Sequence, residues 1–332
     1  MQDPADLAYF AALDRRLVVA VRGIRLLDAI SWPASVQRKF LERWRNGRLD
    51  LPKIEYEQFD YSAVREELDA IQHEAHATSD HPIGGYVRRT AESWEIATRL
   101  LESIGTRDVS VHSAALFGKP GDFLPGSDYH NIDAAEHFIA LADELSKELA
   151  TQESDYVISA TTMQEELQAR LDAFFEHHKV RVEIDPRLTA KAAAGTTRIR
   201  LRADTGFTEY DRHQLLEHEA FVHSLTALNG RAQPHLASMA RNSPRITATQ
   251  EGLATFAELI TGAIDIQRMK RISLRILAIE KAQNGADFIG VFRFFLVSDQ
   301  NDNDSCASAP RIFRGVPVEG GGAFTKDTVY LH

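Results

Sequence analysis

His218, Glu219 and His223 stand together in the stretch LLEHEAFVHSL, residues 215–225. Two imidazoles can hold a divalent metal, and a carboxylate beside them can act as a general base. In the common zinc-peptidase spacing, H-E-x-x-H, the histidines lie four apart and share one helix face. Here one extra residue separates them. At about 100° per residue, His218 and His223 point roughly 140° apart on a straight α-helix. They would not meet easily on one ion. Glu219 and His223, four apart, would share a face instead and suit only a non-hydrolytic metal site. A one-residue π-bulge between the histidines absorbs the extra residue and brings them together. Plain packing of two histidines on a half-buried helix is the ordinary alternative. The shape of this helix therefore separates the readings.

A catalytic zinc site needs a third protein ligand. Glu251, in SPRITATQEGLATFAELI, is the candidate. Thr247 and Gln250 match a capping-box pattern, which puts Glu251 in the first turn of a helix. Gly252 and Ala254 are small enough for an ion or a second helix to come close. Glycine inside a helix costs about 1 kcal/mol relative to alanine, which suggests a packing or functional reason. Two histidines from one helix and a carboxylate from the next make the His₂Glu set, with a fourth position left for water. Glu258, two turns after Glu251, shares its face and is the candidate to orient a ligand histidine. An acid that complements the helix dipole, or lies on the surface, is the ordinary reading of either residue.

Helices and strands must position these groups. Apolar residues recur at helical spacing over 6–30, 60–77, 83–105, 131–152 and 161–179. VRVEID (180–185) and TRIRLRA (197–203) read as strands. The histidine helix starts at a Thr208 cap, with Glu209 and Asp211 in its first turn, and stops at Asn229–Gly230. FIGVFRFFLV reads as a buried helix or strand, and the tail from Arg311 as short strands around a glycine loop. The pattern is α+β. A mainly helical region, 1–155, is expected to pack on a catalytic part, 156–332.

Composition removes several classes. The net charge of −10 gives no general attraction for nucleic acid or an anionic membrane, so neither is an expected partner. LVVAV at 17–21 is interrupted at Arg22, far short of a membrane span. MQDPADLAYF lacks the basic and apolar regions of a secretion signal. Cys306 is the single cysteine, which excludes an intramolecular disulfide and a cysteine-based metal site. A cytoplasmic protein is expected. His73, His76 and His81 lie in QHEAHATSDH, where H-E-x-H is not a zincin spacing and the segment reads as a helix end. His177, His178 and His235 read as exposed, and His213 as a candidate outer partner.

HEAFVH followed by TQEGLATFAE resembles the QEGLA-motif proteins. These are bacterial proteins with a domain of unknown function, described as modulators of flavohemoglobin expression. They are related to the eukaryotic microtubule-associated tyrosine carboxypeptidases. LFGKPGD, LNGRAQP, GADFIGVFRFFL, RIFRG and GGAFTKDTVYL extend the resemblance over most of the chain. The resemblance implies a zincin-like metallopeptidase domain with one Zn²⁺ per chain. His218, His223 and Glu251 match the metal ligands, and Glu219 matches the catalytic acid/base. Members run on past the VYL segment, whereas this chain stops at His332, so a C-terminally truncated member is expected.

The eukaryotic relatives imply a carboxypeptidase that acts on a peptide or protein C-terminus. Tyr330, in the VYL segment, is the candidate second electrophile for the oxyanion; a packed strand residue is its ordinary role. Arg311, Arg314 and Lys326 are candidates to hold the terminal carboxylate, with Arg198, Arg200 and Arg202 on a strand placed to act as the substrate-pairing edge. A solvated surface role is the ordinary alternative for each. The alternative function is a non-catalytic regulatory or binding protein that keeps the zincin fold and metal. The intact Glu219 argues against it, because a binding module needs no general base.

Overall fold

The computed structural model describes residues 4–76, 81–149, 157–175, 179–188, 191–195 and 197–331. The expected domain line at 155/156 and the pair His177–His178 lie outside these residues. The chain forms two compact units. Unit 1 comprises Met1–Ile139, Ser243–Ala248 and Lys270–His332, and unit 2 comprises Ala140–Asn242 and Thr249–Met269. The part expected as one catalytic domain, 156–332, is thus divided, and its segment from Lys270 onward belongs to unit 1. The class is α+β with helix as the bulk of the chain.

Unit 1 begins with α1 (Pro4–Val21), α2 (Leu26–Ile30), α3 (Ala34–Arg45), α4 (Ser62–His76), α5 (Pro82–Glu102) and α6 (Asp108–Phe117). The single helix expected over 6–30 breaks in the turn that contains Gly23, where Ile24 N–H donates back to Val21 O at 3.1 Å. α4 is described as far as His76, so the helix-end reading of QHEAHATSDH falls in part outside the described residues. His81 caps α5, its Nδ1 accepting from Ile83 N–H at 3.2 Å.

α7 (Asn131–Leu149) leads into unit 2, followed by α8 (Ala160–Phe174). The strands β1 (Arg181–Asp185), β2 (Ala192–Ala194) and β3 (Arg198–Arg202) form a sheet in the order β1-β3-β2. β1 pairs parallel and β2 antiparallel with β3. Val182, Ile199 and Leu201 bury one face of the sheet with Met163, Leu167 and Leu171 of α8. β2 is an alanine triplet, a poor strand former, so sequence pattern gives it no signal.

α9 (Glu209–Gln214), a π-helical segment (Leu215–Ser224) and α10 (Leu225–Arg231) run end to end. Thr208 caps the start in a full capping box with Asp211. The stop expected at Asn229–Gly230 is not taken, because α10 continues to Arg231. Gly230 has a different use: a Cβ there would lie 2.1 Å from Met239 O, so its absence lets the chain cross the helix. We expect Gly230→Ala to destabilise the protein by about 1–3 kcal/mol, the usual range for overpacking. A urea midpoint equal to wild type would show that the crossing relaxes freely.

α11 (Thr247–Ile260) and α12 (Ile266–Gln283) follow, then α13 (Phe288–Val297) and α14 (Asp302–Ile312) in unit 1. FIGVFRFFLV is helical despite its aromatic content. Asp287 caps it, accepting from Gly290 N–H at 2.7 Å, and Phe288, Phe292 and Phe295 share one fully buried face. Phe40 packs edge-on against Phe288 and Phe292.

The tail contains no strands among its described residues. α14 runs to Ile312 and Lys326–Tyr330 is a 3₁₀ turn. Its polar groups pair with helices rather than with a neighbouring strand. Thr325 N–H donates to Ser113 Oγ at 2.7 Å, and Asn131 Nδ2 donates to Thr328 O at 2.9 Å.

Within this tail, Arg311 grips buried Asp327 through two hydrogen bonds of 2.6 and 2.7 Å. Burial alone would push the Asp327 carboxyl up. Arg311, with Arg275 and Lys326 nearby, outweighs burial and holds it well below the usual carboxylate range. The pair therefore stabilises the fold above pH ~3.9, the unfolded aspartate value, and that contribution is lost as pH falls below it. We expect Asp327→Asn to cost about 3–5 kcal/mol, because it removes the buried carboxylate that accepts both Arg311 hydrogen bonds. Urea denaturation from pH 7 to 4 should show a constant deficit.

Candidate metal centre

The extra residue between the histidines is absorbed by more than a single bulge. All of Leu215–Ser224 is π-helical, and Leu225 N–H donates to Ala220 O across the i→i−5 span. In that geometry residues five apart stack over one another. His218 and His223 consequently share a face, with ring centroids 4.8 Å apart. The straight-helix alternative, with the two rings splayed, is not what the chain adopts. Leu215, Leu216 and Ala220 anchor the segment in the unit 2 core, which leaves the histidine face turned the other way.

Glu251 comes from α11. Its Oε2 lies 3.4 Å from His218 Nε2 and 3.9 Å from His223 Nε2. One donor atom from each of the three residues falls within 4.8 Å of the others, and among the described residues this is the group that could hold a metal ion. Donors about 2.1 Å from a tetrahedral ion lie about 3.4 Å apart, so small side-chain rotations suffice. Two imidazoles and one carboxylate are the donor chemistry of an open catalytic zinc site. The residues present fit that ion.

α11 also holds both imidazoles from behind. Glu258, fully buried, sits with Oε1 2.5 Å from His218 Nδ1. Arg268 braces the same carboxylate from Nε and Nη2, at 2.6 and 2.8 Å. Gln250 Oε1 lies 3.2 Å from His223 Nδ1, and Gln250 Nε2 donates to Thr226 Oγ1 at 3.4 Å. The capping box expected from Thr247 and Gln250 is not formed. Thr247 is already helical, following a 3₁₀ turn at Pro244–Ile246, and the Gln250 side chain goes to His223. Each Nδ1 engaged in this way leaves Nε2 directed at Glu251.

Two opposing effects set the His218 charge. Burial disfavours the imidazolium, but hydrogen bonds to Glu251 and Glu258 outweigh it and push the group up to about 9. Glu258 moves the other way. Burial favours its neutral form, yet His218 and Arg268 hold its carboxyl below the usual value.

Glu219 lies beside this cluster, fixed by the sheet. Its Oε2 accepts from Ala194 N–H of β2 at 2.9 Å. Ser224, five residues on, donates to Gly195 O at 3.0 Å and ties the same helix face to the end of β2. β3, the strand expected as the substrate-pairing edge, lies in the middle of the sheet, flanked by β1 and β2. The edge beside Glu219 is β2. Gly195 N–H bonds Arg198 O and Arg202 N–H bonds Lys191 O, so the backbone groups of Ala192 and Ala194 face away from β3.

Of the remaining candidates, Arg200 and Arg198 pair with Asp185 and Glu183 of β1 at 3.2 and 3.6 Å. His213 is exposed on α9 rather than turned to the cluster, and His235 is exposed as expected. Arg311, Arg314, Lys326 and Tyr330 all belong to unit 1. Lys326 Nζ lies 5.2 Å from the Tyr330 ring centroid. The sequence reading missed Gln250 and Arg268 as supports. Gln250 could have been noticed as the neighbour of Glu251. Arg268 has no local signal, since only folding brings it to Glu258.

We expect Gln250→Ala to weaken zinc binding by about 10–100-fold, the usual loss for an outer partner. Competition with a chromophoric chelator would measure it, and an unchanged affinity would remove Gln250 from this role.

Fold and site together define a mostly helical α+β protein with a His₂Glu cluster carried on a π-helix and α11. The family model for microtubule-associated tyrosine carboxypeptidases matches residues 39–332. The chain belongs to that family. No curated protein matches it. Among the described residues, no helix is long and apolar enough to cross a membrane.

Proposed function

We propose that the protein is a zinc-dependent carboxypeptidase of zincin-like fold, holding one Zn²⁺ on His218, His223 and Glu251. The observation that carries this reading is the convergence of those three donors beside a carboxylate, Glu219, that is not among them. Zinc, when bound, polarises a scissile carbonyl and makes water more acidic. Glu219 Oε2 is steadied by Ala194 N–H, which leaves Oε1 to take a proton from the attacking water. The same carboxyl then hands the proton to the leaving amine. A peptide adding to the outer edge of β2 would use the outward backbone groups of Ala192 and the Ala194 carbonyl, since the Ala194 N–H is held by Glu219.

Family membership supports a peptide or protein C-terminus as substrate. The lone cysteine is consistent with a reducing compartment, and the cytoplasm is the proposed location.

The test uses zinc-loaded protein and paired peptides with free-acid and amidated C-termini. Stepwise loss of terminal residues from the free acids alone is expected. Cleavage inside both kinds of peptide would make the protein an endopeptidase. No cleavage of either would favour the regulatory alternative.

A further inference from the structure

α11 presents two faces, and the metal cluster uses only one of them. Glu251 and Glu258, seven residues apart, lie on the inner face, where Ala254 and Thr255 are also buried. At about 100° per residue, Leu253, Phe256 and Ile260 fall roughly 140–200° from Glu251, on the opposite side of the helix. They are 47%, 55% and 65% exposed, and Leu259 beside them is 57% exposed. None of the four packs into either hydrophobic core of the described residues.

Single apolar side chains on a surface need no explanation, but a contiguous stripe does. Leu253, Phe256 and Ile260 are spaced three and four apart, the seam by which one helix packs against another. Thr249, four before Leu253, continues it. A helix that is apolar on every side is ordinarily covered on every side. The exposed patch is on the order of 400 Å², a size that on a single chain marks an interaction surface.

The second property of this face is its lack of charge. From Thr247 to Gly262 the charged residues are Glu251 and Glu258, and both are on the inner face. The chain as a whole carries −10, so two copies meeting elsewhere oppose like charges. A two-fold contact brings the same patch of both copies together, and any charge in it meets its own kind. A charge-free apolar seam satisfies that condition. It also offers a charged partner of another kind nothing to pair with.

We propose that the outer face of α11 is where two copies of this chain associate, with Leu253, Phe256 and Ile260 as the seam. With Thr249, Leu259 and Thr261 at the flanks, the two copies bury on the order of 1,000 Å². That is the low end for a specific interface, so the dimer is weak and forms as concentration rises. The seam stands on the side of α11 away from Glu251 and does not depend on the metal reading.

The test uses the full chain without added metal. Sedimentation velocity would follow it from low micromolar to near-millimolar concentration. We expect a monomer at the low end and a growing dimer fraction towards the high end. Phe256→Glu puts two like charges into the middle of the seam, one from each copy, and should weaken self-association about 100-fold or more. Val297→Glu replaces an apolar side chain of unit 1 that is 82% exposed, and should leave the dimer unchanged. Should Phe256→Glu melt below wild type, Ile260→Glu at the end of the seam is read in its place.

A monomer at every concentration overturns the proposal and leaves the face to a partner of another kind. A dimer that survives both seam variants overturns it as well, and so does one that Val297→Glu weakens equally.

Discussion

Glu219→Gln should keep its zinc and lose about 100- to 10,000-fold in kcat/KM, the usual contribution of a positioned general base. The amide is nearly isosteric with the carboxylate, and its carbonyl oxygen can still accept from Ala194 N–H. The contact between the π-helix and β2 therefore survives, so the fold and the ligand geometry should be unaffected. What disappears is the oxygen able to take a proton from water. Metal content and melting temperature equal to wild type, with peptide cleavage lost, is the expected pattern. Full activity in the variant would show that Glu219 is only a strut between helix and sheet.

Glu251→Ala should lose metal binding almost entirely, with a larger fall than the roughly 10–100-fold typical of an outer partner. Zinc at about 1,000 times its Kd stabilises a folded protein by about 4 kcal/mol. That rise in melting temperature should appear in wild type and vanish in Glu251→Ala. A second readout needs no metal. Glu251 is the first of the acids that push His218 upward against burial. Without it, the His218 imidazole should titrate lower in the metal-free variant, an NMR measurement of known sign. A variant that still takes up zinc with wild-type affinity would require a different third ligand.

The sequence makes the chemistry of the site legible because its groups are declared locally. Three of the four central residues lie within six positions, and Glu251 follows in a helix that begins with a recognisable motif. Even the extra residue between the histidines is informative, since a straight helix and a π-helix predict opposite outcomes. The extent of the π segment is not legible. Its length depends on how Leu215, Leu216 and Ala220 seat in the core, which is a tertiary matter.

The same limit explains other differences. β2 is three alanines, and it becomes a strand because β3 pairs with it. The tail has β-forming residues, but α6 and α7 offer it hydrogen-bond partners and it settles as a 3₁₀ turn. Gln250 fits a capping box by spacing, yet His223 is the partner that folding presents. Arg268 and Arg275 acquire meaning only from residues distant in sequence. Local chemistry is thus readable ahead of the fold, whereas supports assembled across the chain are not.

The central claim is that a π-helix brings His218 and His223 together with Glu251 on one zinc ion. Zinc-edge X-ray absorption on the reconstituted protein, compared with His223→Ala, tests it most directly. The account predicts one zinc per chain with two imidazole nitrogens at about 2.0–2.1 Å and carboxylate and water oxygens completing the shell, and one imidazole or no bound metal in the variant. A wild-type spectrum with one imidazole or none, or a spectrum unchanged in His223→Ala, would contradict it.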